Sequence, residues 1–412
     1  MALGSKNKKD KIEFDRTSCV VYFLEEGEVT KERAVKLFDN KKIIDKSYIR
    51  VVIGGDASAI ASCAFSGYYF KKINSVTIED GVTKIGGAAF SECTYLGYVS
   101  IPKSVTEIGK NVFRSCDCLD TISVDVENPS YKSIDGSLYT KDGSVLMHYA
   151  THKNDKSFSV PKGVTKIESS AFYGGKHLES VKLPKSLMEI EEYAFSACYS
   201  LKSIEMPESI ASIGNSAFYS CSALETIRIP KRVEVIGKHA FEYCEALKNI
   251  SVAEDSETYR SISGSLYTKD GKTLIQYALG KGERSFTVPR DVCNITEDAF
   301  KGCKAIEEIK LPDMLTTIEA YTFESCKNLK RVDIQNSVDT ICAFAFRCCE
   351  SLEEIVIPKS VTKIEENAFA GISNVKIACV AESKPKGWHE KWNPRNCPVF
   401  WGHKILRKKM IN

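Results

Sequence analysis

Sixteen cysteines and six histidines are the side chains of this 412-residue chain best suited to chemistry. Thiolates and imidazoles hold zinc when paired C-x-x-C or H-E-x-x-H spacings bring them together. The spacing here points elsewhere. Cys93, Cys116, Cys198, Cys221, Cys244, Cys303, Cys326 and Cys349 each stand three residues after a phenylalanine, and no C-x-x-C pair has a matching second pair. Equivalent places on successive coils suit the thiol as a small hydrophobe with a weak S–H donor. His148 and His152 are four apart, a metal spacing on a helix, but they fall on an expected strand and loop, where such side chains do not meet. A copied block of the chain carries Gln276 and Gly280 in their place. Neither a G-x-S-x-G elbow nor a P-loop occurs. The acidic pairs Glu191-Glu192 and Glu353-Glu354 fall at exposed repeat positions. No catalytic residue, cofactor site or metal-ligand set is therefore expected.

The elements that place these residues repeat. Phe65, Phe90, Phe113, Phe172, Phe195, Phe218, Phe241, Phe300, Phe323, Phe346 and Phe369 are separated by 25, 23, 59, 23, 23, 23, 59, 23, 23 and 23 residues. Each step of 59 is a 23-residue unit plus one of 36, and Pro102, Pro161, Pro184, Pro207, Pro230, Pro289, Pro312 and Pro358 keep the same register. A shift of 128 residues lays Tyr131, Gly136–Gly143 and Tyr149 on Tyr259, Gly264–Gly271 and Tyr277. Within a unit, Thr226–Ile229 alternates polar and apolar residues, as a half-buried strand does. Pro230 ends it, lacking the N–H that a ladder uses. Val233, Ile236 and Phe241 then return to the interior. One unit cannot bury that face alone, so neighbours stack in parallel at about 4.8 Å.

Composition excludes other classes. Charge sums to +3, of which four lie in the basic tail, so the remainder is at −1 and a broadly basic nucleic-acid binder is not expected. No run reaches the ~18 apolar residues of a membrane helix, and Met1–Arg16 shows no apolar core of a secretory signal. Together with the free-thiol ladder, this favours a reducing, cytoplasmic setting for the chain as it stands. The alternative is a cell-surface or secreted protein whose leader was removed.

The motif of Leu224, Ile227, Ile229, Pro230, Val233, Ile236, Ala240, Phe241 and Cys244 resembles the BspA-like leucine-rich repeats of bacterial and protozoan surface proteins. The resemblance covers roughly residues 60–375 and implies a β-rich repeat solenoid, a right-handed superhelix with a parallel concave sheet. It also implies use in binding, with adhesin-like contact as one form.

The expected organisation is an N-terminal cap with a short helix at 1–58 and the solenoid at 59–375, with expanded repeats at 125–160 and 253–288. A Trp-rich cap at 376–402 and a basic tail at 403–412 follow. Trp388, Trp392 and Trp401 read as that cap or as an aromatic platform; Cys379 and Cys397 flank them and could pair in an exported chain. Asp142-Gly143 and Asp270-Gly271 signal hairpins projecting from the rim, serving either as binding loops or as padding. Outward strand positions offer Tyr98, Lys182, Glu205, Arg228, Asn249, Glu308, Lys310, Arg331, Asp333 and Glu354 as a protein-binding surface, though solubility alone also demands polar residues there. Stacked aromatics and a stripe of one charge are missing, so single-stranded nucleic acid fits poorly. The expectation is a monomeric, non-catalytic scaffold for a protein or peptide, with an intracellular adaptor as the alternative and a hydrolase as a remote one.

Overall fold

Each repeat folds as one coil made of a long strand, a proline turn, a two-residue strand and a phenylalanine turn. The computed structural model describes residues 8–151, 155–373 and 375–403. In one coil, Tyr98–Ile101 is the long strand, with Val99 and Ile101 buried and Tyr98 exposed. Val105 then donates its N–H to the Pro102 carbonyl, and Glu107–Ile108 is the short strand. Two parallel ladders result, one from the long strands and one from the short.

The phenylalanine turn supplies a third hydrogen-bonded ladder. In all eleven turns, the residues two before and two after the phenylalanine have left-handed backbone angles, with φ between +51° and +105°. That geometry aims alternate N–H groups at the next coil. Ala88, Phe90 and Glu92 donate to the carbonyls of Lys110, Val112 and Arg114 at 2.8–3.0 Å. Tyr321, Phe323 and Ser325 repeat the pattern on Ala343, Ala345 and Arg347. The rings between them stack in the core: Phe195 lies 5.2 Å from Phe218 at an interplanar angle of 3°, and Phe346 lies 5.2 Å from Phe369 at 11°.

The chain divides into two compact units. The first comprises Met1–Leu201, Ser209–Tyr219 and Val235–Ala240. Its long-strand sheet starts with Lys11–Phe14 antiparallel to Ser18–Phe23, then adds Tyr48–Ile53, Ile73–Ile78, Tyr98–Ile101 and Thr121–Val124 in parallel. Three strands of this sheet thus lie inside the stretch 1–58, with Ser18 opposite Tyr48. The helix Lys31–Phe38 lengthens that coil to 30 residues, which hides it from a 23-residue count. Thr30 caps the helix by accepting the Arg33 N–H, and the Arg33 guanidinium pairs with Asp10 at 2.6 Å.

In the second unit, Lys202–Glu208, Ser220–Glu234 and Phe241–Asn412, the final coils end on tryptophan. Gly387–Trp388 extends the short-strand ladder and Val399–Phe400 extends the long-strand ladder. Trp388 and Trp392 are buried, and the Trp388 indole N–H donates to the Val361 carbonyl at 3.1 Å. Trp401 is 37% exposed and leans on Trp388. The basic stretch after His403 lies outside the described residues.

The left-handed positions give a direct test. Gly174, Gly302 and Gly371 already occupy the place that Ser325 takes in its own coil. Because a left-handed L-residue costs about 1–2 kcal/mol and branching at Cβ adds to it, Ser325→Val should destabilise the protein by about 1–2 kcal/mol relative to Ser325→Gly. Urea denaturation of the two variants measures the difference.

Candidate functional site

The long strands hold the ten expected surface residues at their outward positions. Eight are exposed, while Glu308 and Asp333 are half-buried. In the second unit Asn249 stands opposite Thr226, Glu308 opposite Arg331 and Lys310 opposite Asp333. Opposite charges therefore face each other across adjacent strands. Arg228 pairs with Glu208 at 2.5 Å, with both side chains half exposed, so the pair adds little stability.

These residues do not form one continuous row. Residues 125–160 close the edge of Thr121–Val124: the Ile122 N–H donates to the Gly136 carbonyl, and the Ser133 hydroxyl donates to the Ile122 carbonyl. The later insert repeats both bonds at Ile250, Gly264 and Ser261. Tyr98 therefore lies in a sheet that ends at Val124, whereas Lys182 lies on a strand paired with Ser157–Ser159. Glu308, Lys310, Arg331 and Asp333 share a sheet that begins at Ser285–Thr287, and Glu354 belongs to another.

The expected projecting hairpins are a correction. Tyr131–Ile134, Ser137–Thr140 and Val145–His148 form an antiparallel meander whose last strand joins the short-strand ladder beside Lys166–Ile167. Ser137, Leu138 and Tyr139 are consecutive buried residues, so this strand is covered on both faces rather than one. Exposure is confined to the turns, at Asp135 and at Lys141 and Asp142. Tyr149 then takes a phenylalanine's place, donating its N–H to the Ala171 carbonyl and stacking 5.1 Å from Phe172. Tyr277 does the same on Ala299 and Phe300.

All sixteen thiols are free, including Cys379 and Cys397. The ladder thiols are oriented donors. Cys93, Cys116, Cys198, Cys326 and Cys349 each donate S–H to the carbonyl of the preceding coil's phenylalanine at 3.1–3.2 Å. Cys397 donates likewise to Ile372. Burial pushes Cys198 and Cys244 up to about 12, and Cys116 and Cys326 well above the ordinary thiol range. Such thiols are poor nucleophiles and poor metal ligands.

His148 is buried at the end of its strand; His152 lies outside the described residues. Beside His148 is a cavity of about 10 Å³, room for a single water, lined also by Asn111, Glu168 and Ser169. His148 Nε2 has no hydrogen-bond partner. Burial drops the imidazole to about 3, while burial and the neighbouring Glu191 charge raise Glu168 to about 7. The space excludes a substrate. In the duplicated block, Gln276 donates to the Tyr277 and Ala299 carbonyls instead.

Sequence reasoning missed two cation–aromatic clusters. Arg114 lies 4.7 and 4.6 Å from the rings of Tyr173 and Tyr193. In the second unit Lys301 contacts Glu242, Asp298 and Glu324 at 2.9–3.0 Å and lies beside Tyr243 and Tyr321. The 128-residue shift holds the signal: Arg114 maps to Glu242 and Tyr173 to Lys301, so the cation has changed coils.

The cavity pair predicts two opposed pH dependences. His148 takes a proton in the unfolded chain near 6.5 but in the folded protein only near 3. Stability is therefore full above pH 6.5 and falls as pH drops, and His148→Gln should gain most over the parent below pH 6. Glu168 has a folded value near 7 against 4.5. Its favourable contribution is full below pH 4.5 and lost as pH rises through 7, so Glu168→Gln should gain most at pH 8. Melting temperatures of both variants and the parent across pH 4–8 check the two signs. For the thiols, a maleimide at neutral pH should label exposed Cys63 first and leave the ladder unlabelled until urea is added, as read by peptide mass spectrometry.

A family model described as BspA type leucine rich repeat region (6 copies) matches residues 46–144, 148–267 and 281–384. The solved structure of a leucine rich cell surface protein from Faecalibacterium prausnitzii is similar over 98% of this chain and 95% of its own, with 23% identity and a TM-score of 0.52. A leucine-rich repeat protein from Eubacterium ventriosum aligns over 87% of this chain and 91% of its own, with 22% identity and a TM-score of 0.40. The first of these likenesses concerns the fold alone. No curated protein matches. With repeat copies recognised over most of its length, the chain belongs to the BspA type leucine-rich repeat family.

Proposed function

We propose that this protein is a non-catalytic scaffold that binds a protein or peptide through the exposed positions of its long strands. The observation that carries this reading is the division of labour within each coil. Backbone ladders, phenylalanines and thiols are nearly constant, while the outward residues change from Tyr98 to Thr226 to Glu308 at one fixed register. A rigid frame that varies only its solvent face suits recognition. His148 and the ladder thiols, strongly perturbed by burial, have no room beside them for a substrate, which weighs against catalysis.

Contact at a cell surface is the setting we favour. Free thiols usually argue for a reducing compartment, but those of the ladder are buried and raised in pKa, and would survive outside one. The similar Faecalibacterium protein is a leucine rich cell surface protein. No helix among the described residues is long and apolar enough to cross a membrane.

Arg228→Glu combined with Arg331→Glu should lower capture of the partner by at least tenfold in a pull-down from surface and soluble fractions, with the melting temperature within a few degrees of the parent. Undiminished capture by the folded double variant would remove the strand face of the second unit from the binding surface.

A further inference from the structure

The first unit carries an exposed tyrosine cluster that the repeat does not require. Tyr48, Tyr68, Tyr69, Tyr95 and Tyr98 are 49%, 78%, 60%, 56% and 42% exposed. They gather at the starting ends of three neighbouring strands, Tyr48–Ile53, Ile73–Ile78 and Tyr98–Ile101. The Tyr48 hydroxyl reaches Ser75 at 3.4 Å, Ser75 is the register partner of Tyr98, and the Tyr95 N–H donates to the Lys71 carbonyl. Equivalent positions in the next coils hold no tyrosine, phenylalanine or tryptophan. Those of Tyr98 hold Thr121, Ser180, Ser203 and Thr226; those of Tyr95 hold Cys118, His177, Ser200 and Ala223. Packing of the coils thus gives no reason for the rings, and exposing five of them together works against solubility.

Charge defines what they face. The three strand-start segments 46–50, 67–72 and 94–98 contain Lys46, Arg50, Lys71 and Lys72 and no carboxylate. Lys46 is tied to the Asp15 and Arg16 carbonyls. Lys71 lies 3.9 Å from the Tyr68 ring centre, and Arg50 is exposed on the strand between Val20 and Ser75. The next coil closes the patch with Asp117 and Asp120.

Resting on the scaffold reading above, we infer that this tyrosine–lysine patch is a docking site for an acidic segment of a partner protein that also carries apolar side chains. Tyrosine offers large contact area with a polar tip, and with arginine it dominates the energetics of protein interfaces. Five rings outnumber the cations, a ratio that suits apolar side chains beside carboxylates better than a sulfated polysaccharide. Three strands at about 4.8 Å span roughly 10 Å, the reach of three or four extended residues.

The test pans a library of random peptides about twelve residues long on the intact protein, alongside heparin as a sulfated polysaccharide. Peptides that combine Asp or Glu with aromatic or aliphatic residues should be enriched. Their affinity should fall at least tenfold with Tyr68→Ala plus Tyr95→Ala, fall similarly with Lys71→Glu plus Lys72→Glu, and weaken with salt. All four side chains lie at the surface, and circular dichroism verifies folding. Enrichment of neutral or basic peptides, or equal binding to both variants, would overturn the proposal. So would heparin binding that is lost with the lysine variant while no peptide binds. If the enriched peptides respond to Arg228→Glu and Arg331→Glu instead, the patch falls and the scaffold reading stands. Binding of neither a peptide nor a protein partner would remove both.

Discussion

The structure depends on one backbone device, a phenylalanine held between two left-handed residues. Reversing the chain twice within five residues turns three N–H groups toward the following coil and drives the ring inward. Left-handed geometry is unfavourable for any residue but glycine, and most of these places hold Ala, Ser, Asn, Tyr or Glu. The coil keeps them there because a turn followed by another such turn gains up to three intercoil hydrogen bonds and one stacked ring. Stability is therefore shared between neighbours, and a turn without a following coil keeps the strain and loses the bonds.

The thiol follows from the same turn. With the phenylalanine carbonyl already accepting the N–H of the residue three later, as Cys93 donates to Phe90, a second lone pair faces the interior beneath the next coil. A donor placed there must be short and nearly apolar. Cysteine meets both demands, since its S–H can complete the carbonyl while the sulfur packs as a hydrophobe. A serine would fill less volume, and an alanine would leave the lone pair unmet. Eight of the sixteen cysteines that first suggested metal or disulfide chemistry stand at this place, and at least five of them answer that backbone acceptor.

How much of this was legible depended on whether side chains or backbone carried the message. The 23-residue step, the phenylalanines, the proline stops and the equivalent cysteines are side-chain demands, and the sequence showed them openly. The left-handed pairs are backbone demands met by many residue types, so no letter marks them; Gly67, Gly174, Gly302 and Gly371 were hints. Tyr149 and Tyr277 were visible as copied residues, but a phenol in a phenylalanine's slot breaks the letter pattern while keeping the fold. The coil at Ser18–Phe23 escaped because its helix changes the step. The outward positions were placed correctly, yet their distribution over separate sheets was not, because the bonds that end each sheet run through Gly136, Ser133 and their duplicates, residues that look like ordinary turn formers.

Those interruptions bear on recognition. A parallel ladder exposes backbone groups only at its edge, and each insert consumes the edge of the strand before it through one carbonyl and one hydroxyl. The exposed strand positions are thereby partitioned into separate polar surfaces, each with its own composition. Up to Val124 the surface is rich in tyrosine and hydroxyl groups; from Ser285 to Asp333 it is built of opposed charges in register. Paired charges that already satisfy each other give up less on contact with a partner than unpaired ones, because their desolvation must be repaid. The tyrosine patch is built differently: its rings outnumber its cations, and its strand-start segments hold lysine and arginine but no carboxylate. Within one family of coils and one backbone, the first unit thus presents a face of rings and the second a face of matched charges.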